Sequence, residues 1–167
     1  MRLVEVVGGE RTDPKAVDAA IRTYAHWGRV PVRLNREIYG HIGNRLATAL
    51  WREAVHLLAE GVATAAEIDR AVVEGPGRKW ALTGPFESYA LSGGDGGIRR
   101  FLEPFSPGIQ RRWDDLGTPQ LDAETRALIA TSVESALTGT SGRQRQRERA
   151  RRLVALSRLL DSGDRES

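Results

Sequence analysis

The chain of 167 residues contains no cysteine and a single methionine. Without thiols it has no disulfide framework, no Cys-built zinc site and no thiolate nucleophile. Its three histidines, His26, His41 and His56, are too scattered to form a histidine metal site. No apolar run approaches the ~20 residues of a membrane helix, and charges begin at Arg2 and Glu5, so a soluble, cytoplasmic protein without membrane contact is expected. A phosphate cradle is also missing. The dinucleotide fingerprint needs Gly-x-Gly-x-x-Gly between a strand and a helix. From Gly94 the spacing gives Gly96 but places Arg99 where the third glycine belongs, with no apolar strand before it. No Walker-type loop occurs either. The cluster Gly93-Gly94-Asp95-Gly96-Gly97 therefore reads as a loop.

Lysine is scarce too: Lys15 and Lys79 are the only two among 25 basic residues. The net charge of +3 is concentrated at one end, because Arg143, Arg145, Arg147, Arg149, Arg151, Arg152, Arg158 and Arg165 face only Glu148, Asp161, Asp164 and Glu166. Such a segment could meet a polyanion, coenzyme A phosphates included. Its mixed acids and the apolar positions Ala150, Leu153, Leu156 and Leu160 favour a docked helix over a nucleic-acid arm.

The first 36 residues have their own pattern. Leu3 to Val7 and Val30 to Leu34 are short β-branched runs bounded by turn residues, hence strands. Between them Thr12-Asp13-Pro14 supplies a cap and an early proline, and Val17, Ile21, Tyr24 and Ala25 recur at helical spacing until Gly28. Strand, helix, strand is the expectation, with an exposed sheet edge, since two short strands are rarely stable alone. From Gly40 onward the pattern is helical. Ile42, Leu46, Leu50, Ala54, Leu57 and Leu58, widened by Trp51, trace one face of a long helix ending at Gly61. Thr64 to Glu67 has capping-box spacing, opening a short helix that Gly75-Pro76-Gly77 interrupts. Pro85, the glycine cluster, Pro104 and Pro107 are expected to divide the middle into short helices, with Trp80 and Phe86 in the core. Leu121 to Leu137 and Gln144 to Leu160 read as two more helices. The fold class is mainly α with a small β-α-β element in front.

Several segments carry a family resemblance. Tyr39-Gly40-His41-Ile42-Gly43-Asn44-Arg45-Leu46 is similar to the Gly-Phe-Ile-x-Asn-Arg-Leu signature of the L-3-hydroxyacyl-CoA dehydrogenase family, and Leu3-Val4-Glu5-Val6-Val7 resembles its strand before that signature. Glu53 to Glu60, Gly61-Val62-Ala63 and Glu67-Ile68-Asp69 resemble a family passage used for packing and dimer contact. Gly75 to Ala81, Gly84-Pro85-Phe86-Glu87 and Gly93 to Gly97 are most similar to the branch containing carnitine dehydrogenase and gulonate dehydrogenase, also known as lambda-crystallin. The resemblance implies a helical C-terminal domain preceded by a β-α-β remnant of a Rossmann domain. Its expected parts are residues 1–36 as that remnant, 37–142 as a substrate and dimerisation domain, and 143–167 as an Arg-rich helix and tail.

It also implies three candidate catalytic positions. Glu5 matches the glutamate that holds the catalytic histidine, Asn44 matches the asparagine at the substrate, and His41 stands where the family usually has an aromatic. Each has a plainer reading: Glu5 as a strand carboxylate, Asn44 as a helix cap, His41 as a surface or interface histidine. His26 and His56 read as ordinary helix residues. The family's hydride transfer needs NAD and a histidine acid-base, and the resemblance places both the nucleotide-binding glycines and that histidine before Leu3. No cofactor is therefore expected in this chain alone, with NAD entering only if a partner supplies the Rossmann domain. Three functions follow: a substrate-binding and dimerisation part of a 3-hydroxy acid dehydrogenase, a repurposed enzyme doing non-redox acid-base chemistry, or a non-catalytic dimeric scaffold. A homodimer, a separate Rossmann subunit and a small-molecule or acyl-thioester ligand are the expected partners.

Overall fold

The computed structural model describes residues 2–139 and 141–163, so Asp164, Arg165 and Glu166 of the basic tail lie outside the described residues. Contacts group the chain into two bodies, Met1–Arg52 and Glu53–Ser167.

In the first body, β1 (Leu3–Val6) and β2 (Val30–Arg33) form a parallel pair with Leu3 opposite Val30 and Val6 opposite Arg33. Parallel strands require a crossover, which α1 (Pro14–His26) provides. Its start follows from sequence: the Asp13 carboxylate accepts from Lys15 N at 2.8 Å, and Pro14 occupies the first turn where a missing N–H costs nothing. Gly28, at φ 69°, ends it in the left-handed conformation that glycine adopts freely. Asp18 and Arg33 pair, tying α1 to β2. Val6, Val17 and Leu34 are buried, while Leu3 and Val30 stay exposed.

The long helix α2 (His41–Ala59) runs across the boundary between the bodies. It has the expected extent, but only the second half of its expected apolar face is partly covered: Ile42, Leu46, Leu50 and Trp51 are exposed, whereas Ala54, Leu57 and Leu58 are half-buried and Val55 is buried. Within the second body, α3 (Ala65–Glu74) opens with a complete capping box, in which Thr64 Oγ1 accepts from Glu67 N and the Glu67 carboxylate accepts from Thr64 N at 2.9 Å. Gly75 interrupts the path as expected, yet Pro76 begins a further short helix, α4 (Pro76–Trp80). α5 (Pro85–Ser92) and α6 (Gly97–Asp115) pack together through a 3-10 turn, Gly94–Gly96. α3 also packs on α7 (Ala123–Ala136), and α8 (Gly142–Gly163) follows.

Two expectations are corrected here. Pro104 and Pro107 do not divide the middle; both lie inside the 19-residue α6. An interior proline costs about 3 kcal/mol, and packing against α5 outweighs it. An aromatic ladder spans Pro104, with Tyr89 and Phe101 at 5.1 Å between ring centres and Phe101 and Phe105 at 5.1 Å. Trp80 and Phe86 are not core residues either. They are 47% and 86% exposed: Trp80 ends the five-residue α4, and Phe86 lies in the first turn of α5 directly after Pro85.

Among the described residues the buried apolar side chains are Val6, Val17, Leu34, Val55 and Ile68. The chain exposes 13,893 Å². Two independent globular bodies of this size would expose roughly 9,700 Å² by the mass–area relation. Exposed apolar side chains such as Leu102, Trp113 and Leu159 contribute to that surface.

Candidate functional site

Of the three candidate positions, Glu5 has the most definite environment. It is the half-buried third residue of β1, and its Oε1 accepts from Ile42 N at 2.6 Å and Gly43 N at 3.3 Å, with Oε2 3.4 Å from the same Gly43 N. These amides belong to the first turn of α2, which has no Ser, Thr, Asp or Asn immediately before it. The orphan N–H groups of that turn need an acceptor, and the positive end of the helix dipole favours an anion. A carboxylate from a different element fills both needs. The plain reading of Glu5 as a strand carboxylate is too small, since the side chain joins β1 to α2.

The approach to α2 is tight. Gly40 has φ 79° and His41 φ 49°, so two successive residues occupy the left-handed region before the helix proceeds. Glycine does so freely; for histidine the conformation is uncommon, although better tolerated than for most side chains. His41 N donates to Ile38 O at 3.0 Å, closing the turn. The sequence pattern carried no sign that His41 would be strained.

Asn44 lies inside the first turn of α2, so it is not the cap. Its exposed side chain lines an open cleft of about 370 Å³ with Tyr39, Gly40, Arg45, Thr48, Ala49 and Arg52. Among the described residues no hydrogen bond joins Glu5 to the His41 or Asn44 side chains. The structure thus brings the three positions to one helix start without linking their side chains. His26 ends α1 and His56 sits within α2, where a Cβ on Gly117 would strike its ring at 1.9 Å. Both lie in helices, as expected. No group of His, Cys, Asp or Glu able to hold a metal occurs among the described residues.

The connection after β1 is one place for a phosphate cradle. Gly8 and Gly9 lie between strand and helix, the place a pyrophosphate would need. There, however, Asp13 caps α1 with its own carboxylate and Pro14 removes an N–H. An anion already occupies the helix end, and a second would be repelled. That helix end does not fit a pyrophosphate.

A second cleft, which sequence reasoning missed, lies in the other body. Ser92, Gly93, Gly94, Arg100, Phe101, Glu103, Pro104 and Phe105 line about 630 Å³ between α5 and α6. The i, i+4 spacing of Phe101 and Phe105 was the available signal, hidden by the expectation that Pro104 breaks the helix.

Comparison with known proteins places these features. The 3-hydroxyacyl-CoA dehydrogenase C-terminal domain model matches residues 40–118, and the NAD binding domain model of the same family matches residues 1–38. The chain belongs to the 3-hydroxyacyl-CoA dehydrogenase family. It is 45% identical over 156 residues to an L-carnitine dehydrogenase of Streptomyces griseus, covering 93% of this chain and 47% of that protein. An L-carnitine dehydrogenase of Nocardiopsis dassonvillei is 41% identical over 163 residues, covering 98% and 50%. The chain spans about half the length of the curated relatives it matches. Among solved structures, a 5-formyl-3-hydroxy-2-methylpyridine 4-carboxylic acid 5-dehydrogenase, described as an NAD+ dependent dismutase, superposes with a TM-score of 0.79 at 29% identity. That match covers 96% of this chain and 52% of the other. The family assignment agrees with the mainly helical architecture behind a two-stranded parallel sheet. Among the described residues no helix is long and apolar enough to cross a membrane.

Proposed function

We propose that these 167 residues supply the substrate-binding and dimerisation half of a 3-hydroxy acid dehydrogenase, with L-carnitine or a close analogue as substrate. The nucleotide-binding half comes from sequence outside them, and the chain alone does not carry out NAD-dependent oxidoreduction. The observation that carries this reading is the Glu5 carboxylate on the first turn of α2, which holds two family site positions, Glu5 and Asn44, at one helix start. A carboxylate has about four acceptor positions. Two amides leave capacity for an imidazole N–H delivered from outside the chain. In this role Glu5 orients the histidine, Asn44 positions the substrate oxygen, and the nicotinamide supplies hydride chemistry when bound.

The uncovered surface supports association. Obligate interfaces bury roughly 2,000–5,000 Å² counted over both partners, and the excess on this chain is large enough for a homodimer contact together with a nucleotide-binding half. A cytoplasmic location belongs to the same proposal. Titration of the chain with NADH, followed by nucleotide fluorescence, tests it: no binding is expected until the N-terminal half of an L-carnitine dehydrogenase is added. Saturable binding to the chain alone would overturn the division of labour.

A second reading draws on the strained backbone of His41 beside the Asn44 cleft. In it Glu5, His41 and Asn44 perform non-redox acid-base chemistry. NAD-independent turnover abolished by Glu5→Gln would support that reading.

A further inference from the structure

The basic segment does not dock as its sequence pattern suggests. In α8 every side chain from Arg143 to Leu159 is exposed except that of Arg145. Arg145 is the anchor: its guanidinium donates to Leu137 O at 3.2 Å and Thr138 O at 3.5 Å, just past the end of α7, where carbonyls lack helical partners. Arg152 is held by Glu148 at 2.8 Å within the helix. Arg143, Arg147, Arg149 and Arg151 make no side-chain hydrogen bond or ion pair with any described residue. Arg143, Arg147 and Arg151 recur every four residues, which gives one ridge with a rise of about 6 Å between neighbours. Arg149 projects on roughly the opposite side. From Arg143 to Arg152 the helix carries no large apolar side chain. Leu153, Val154, Leu156 and Leu159 come after it and, at these spacings, face different sides. A helix lying on a membrane needs an apolar face opposite its basic one. Here basic and apolar residues succeed one another along the axis, so charge alone defines the first half of α8.

We propose that the first half of α8 binds double-stranded DNA through its phosphates. The four free guanidiniums span about 12 Å along the helix axis, too far for one small anion, whereas DNA presents a charge every ~1.7 Å. An α-helix with its side chains is about 10–12 Å across, and the major groove is about 12 Å wide. A helix lying in that groove meets one backbone with the Arg143, Arg147 and Arg151 ridge and the other with Arg149. Planar guanidinium forks suit phosphate oxygens, and every basic residue of this stretch is an arginine. The binding depends on phosphate charge and is independent of base sequence.

The test titrates a short fluorescein-labelled DNA duplex with the 167-residue chain at several salt concentrations, following fluorescence anisotropy. Four neutralised phosphates give a slope of about −3.6 in log affinity against log salt, a loss of roughly 150-fold between about 50 and 200 mM. Arg147→Gln combined with Arg151→Gln is expected to bring the slope to about −1.8. Arg11→Gln combined with Arg22→Gln makes an equal change of net charge at exposed positions of the first body and is expected to leave the slope unchanged. Circular dichroism of both double variants should match the parent, since glutamine is a good helix former. Absence of binding at about 50 mM salt, where phosphate contacts are strongest, would overturn the inference. An α8 double variant that keeps the parent slope would also overturn it. So would an equal loss in the first-body variant, because net charge and not α8 would then carry the binding. Tighter binding to phosphatidylserine vesicles than to the duplex would overturn it in favour of a lipid surface.

Discussion

Replacing Glu5 tests the contact that joins the two recognised segments of the first body. In Glu5→Ala the first turn of α2 loses the acceptor of Ile42 N at 2.6 Å and Gly43 N at 3.3 Å. Loss of a capping acceptor costs ~1 kcal/mol, and loss of a negative charge at a helix N-terminus adds ~0.5 kcal/mol. A further contribution comes from leaving the part-buried Gly43 amide without a partner, so the expected total is about 1.5–2.5 kcal/mol. Glu5→Gln keeps an oxygen acceptor and loses the charge; about 0.5–1 kcal/mol is expected. Urea unfolding of the three proteins reads the totals. Amide exchange localises them, since Ile42 and Gly43 should exchange at least tenfold faster in Glu5→Ala, in proportion to the destabilisation. If Glu5→Ala were within ~0.3 kcal/mol of the parent, with unchanged exchange at those two amides, the clasp would have no energetic content.

Other outcomes follow from the same geometry. His41→Gly relieves a left-handed backbone and should leave stability equal or up to ~1 kcal/mol higher, whereas His41→Val should cost more than ~1 kcal/mol, both read by thermal melting. Gly93→Ala places a methyl group on the carbonyl of Gly97, so it should destabilise by more than ~2 kcal/mol and separate α5 from α6, visible as loss of aromatic near-ultraviolet dichroism. Glu67 and Asp122 are held below their ordinary values of 4.5 and 3.8, chiefly by hydrogen bonds from Thr64 and Thr125. A depressed carboxyl stabilises the fold above its unfolded value and ceases to do so as pH falls through the folded one. Acid titration should therefore show loss beginning below about pH 4.5 in α3 and below about pH 3.8 in α7, and Thr64→Ala should flatten the α3 response; an unchanged α3 titration in that variant would refute the assignment.

The parts of the fold legible in the sequence were those with local causes. Asp13-Pro14, Gly28 and the Thr64 to Glu67 box each act within a few residues, and each does in the structure what its chemistry predicts. Pro104 and Pro107 misled because proline cost is local while its compensation, the Tyr89 to Phe105 ladder, joins two helices. The apolar face of α2 was correctly placed on the helix, but periodicity identifies what should be covered and not what covers it. For the candidate site, family resemblance pointed to Glu5, Asn44 and His41. It did not show that Glu5 bonds the backbone of α2, since residues 37 apart meet only in the fold. Arg100 and Glu103 look in sequence like one more solvated i, i+3 pair. Their place beside a stack of rings becomes apparent only when α6 is seen to continue through its prolines.

The central claim is that these residues form the substrate half of an oxidoreductase whose hydride chemistry needs the other half. Its most direct test is NADH-linked turnover of L-carnitine, measured on the chain alone, on the N-terminal half of an L-carnitine dehydrogenase alone, and on the two mixed. The account predicts no turnover from either part, turnover from the mixture, and its loss when the mixture carries Glu5→Ala. Turnover by the 167-residue chain alone, or association of the two parts with none, would contradict it.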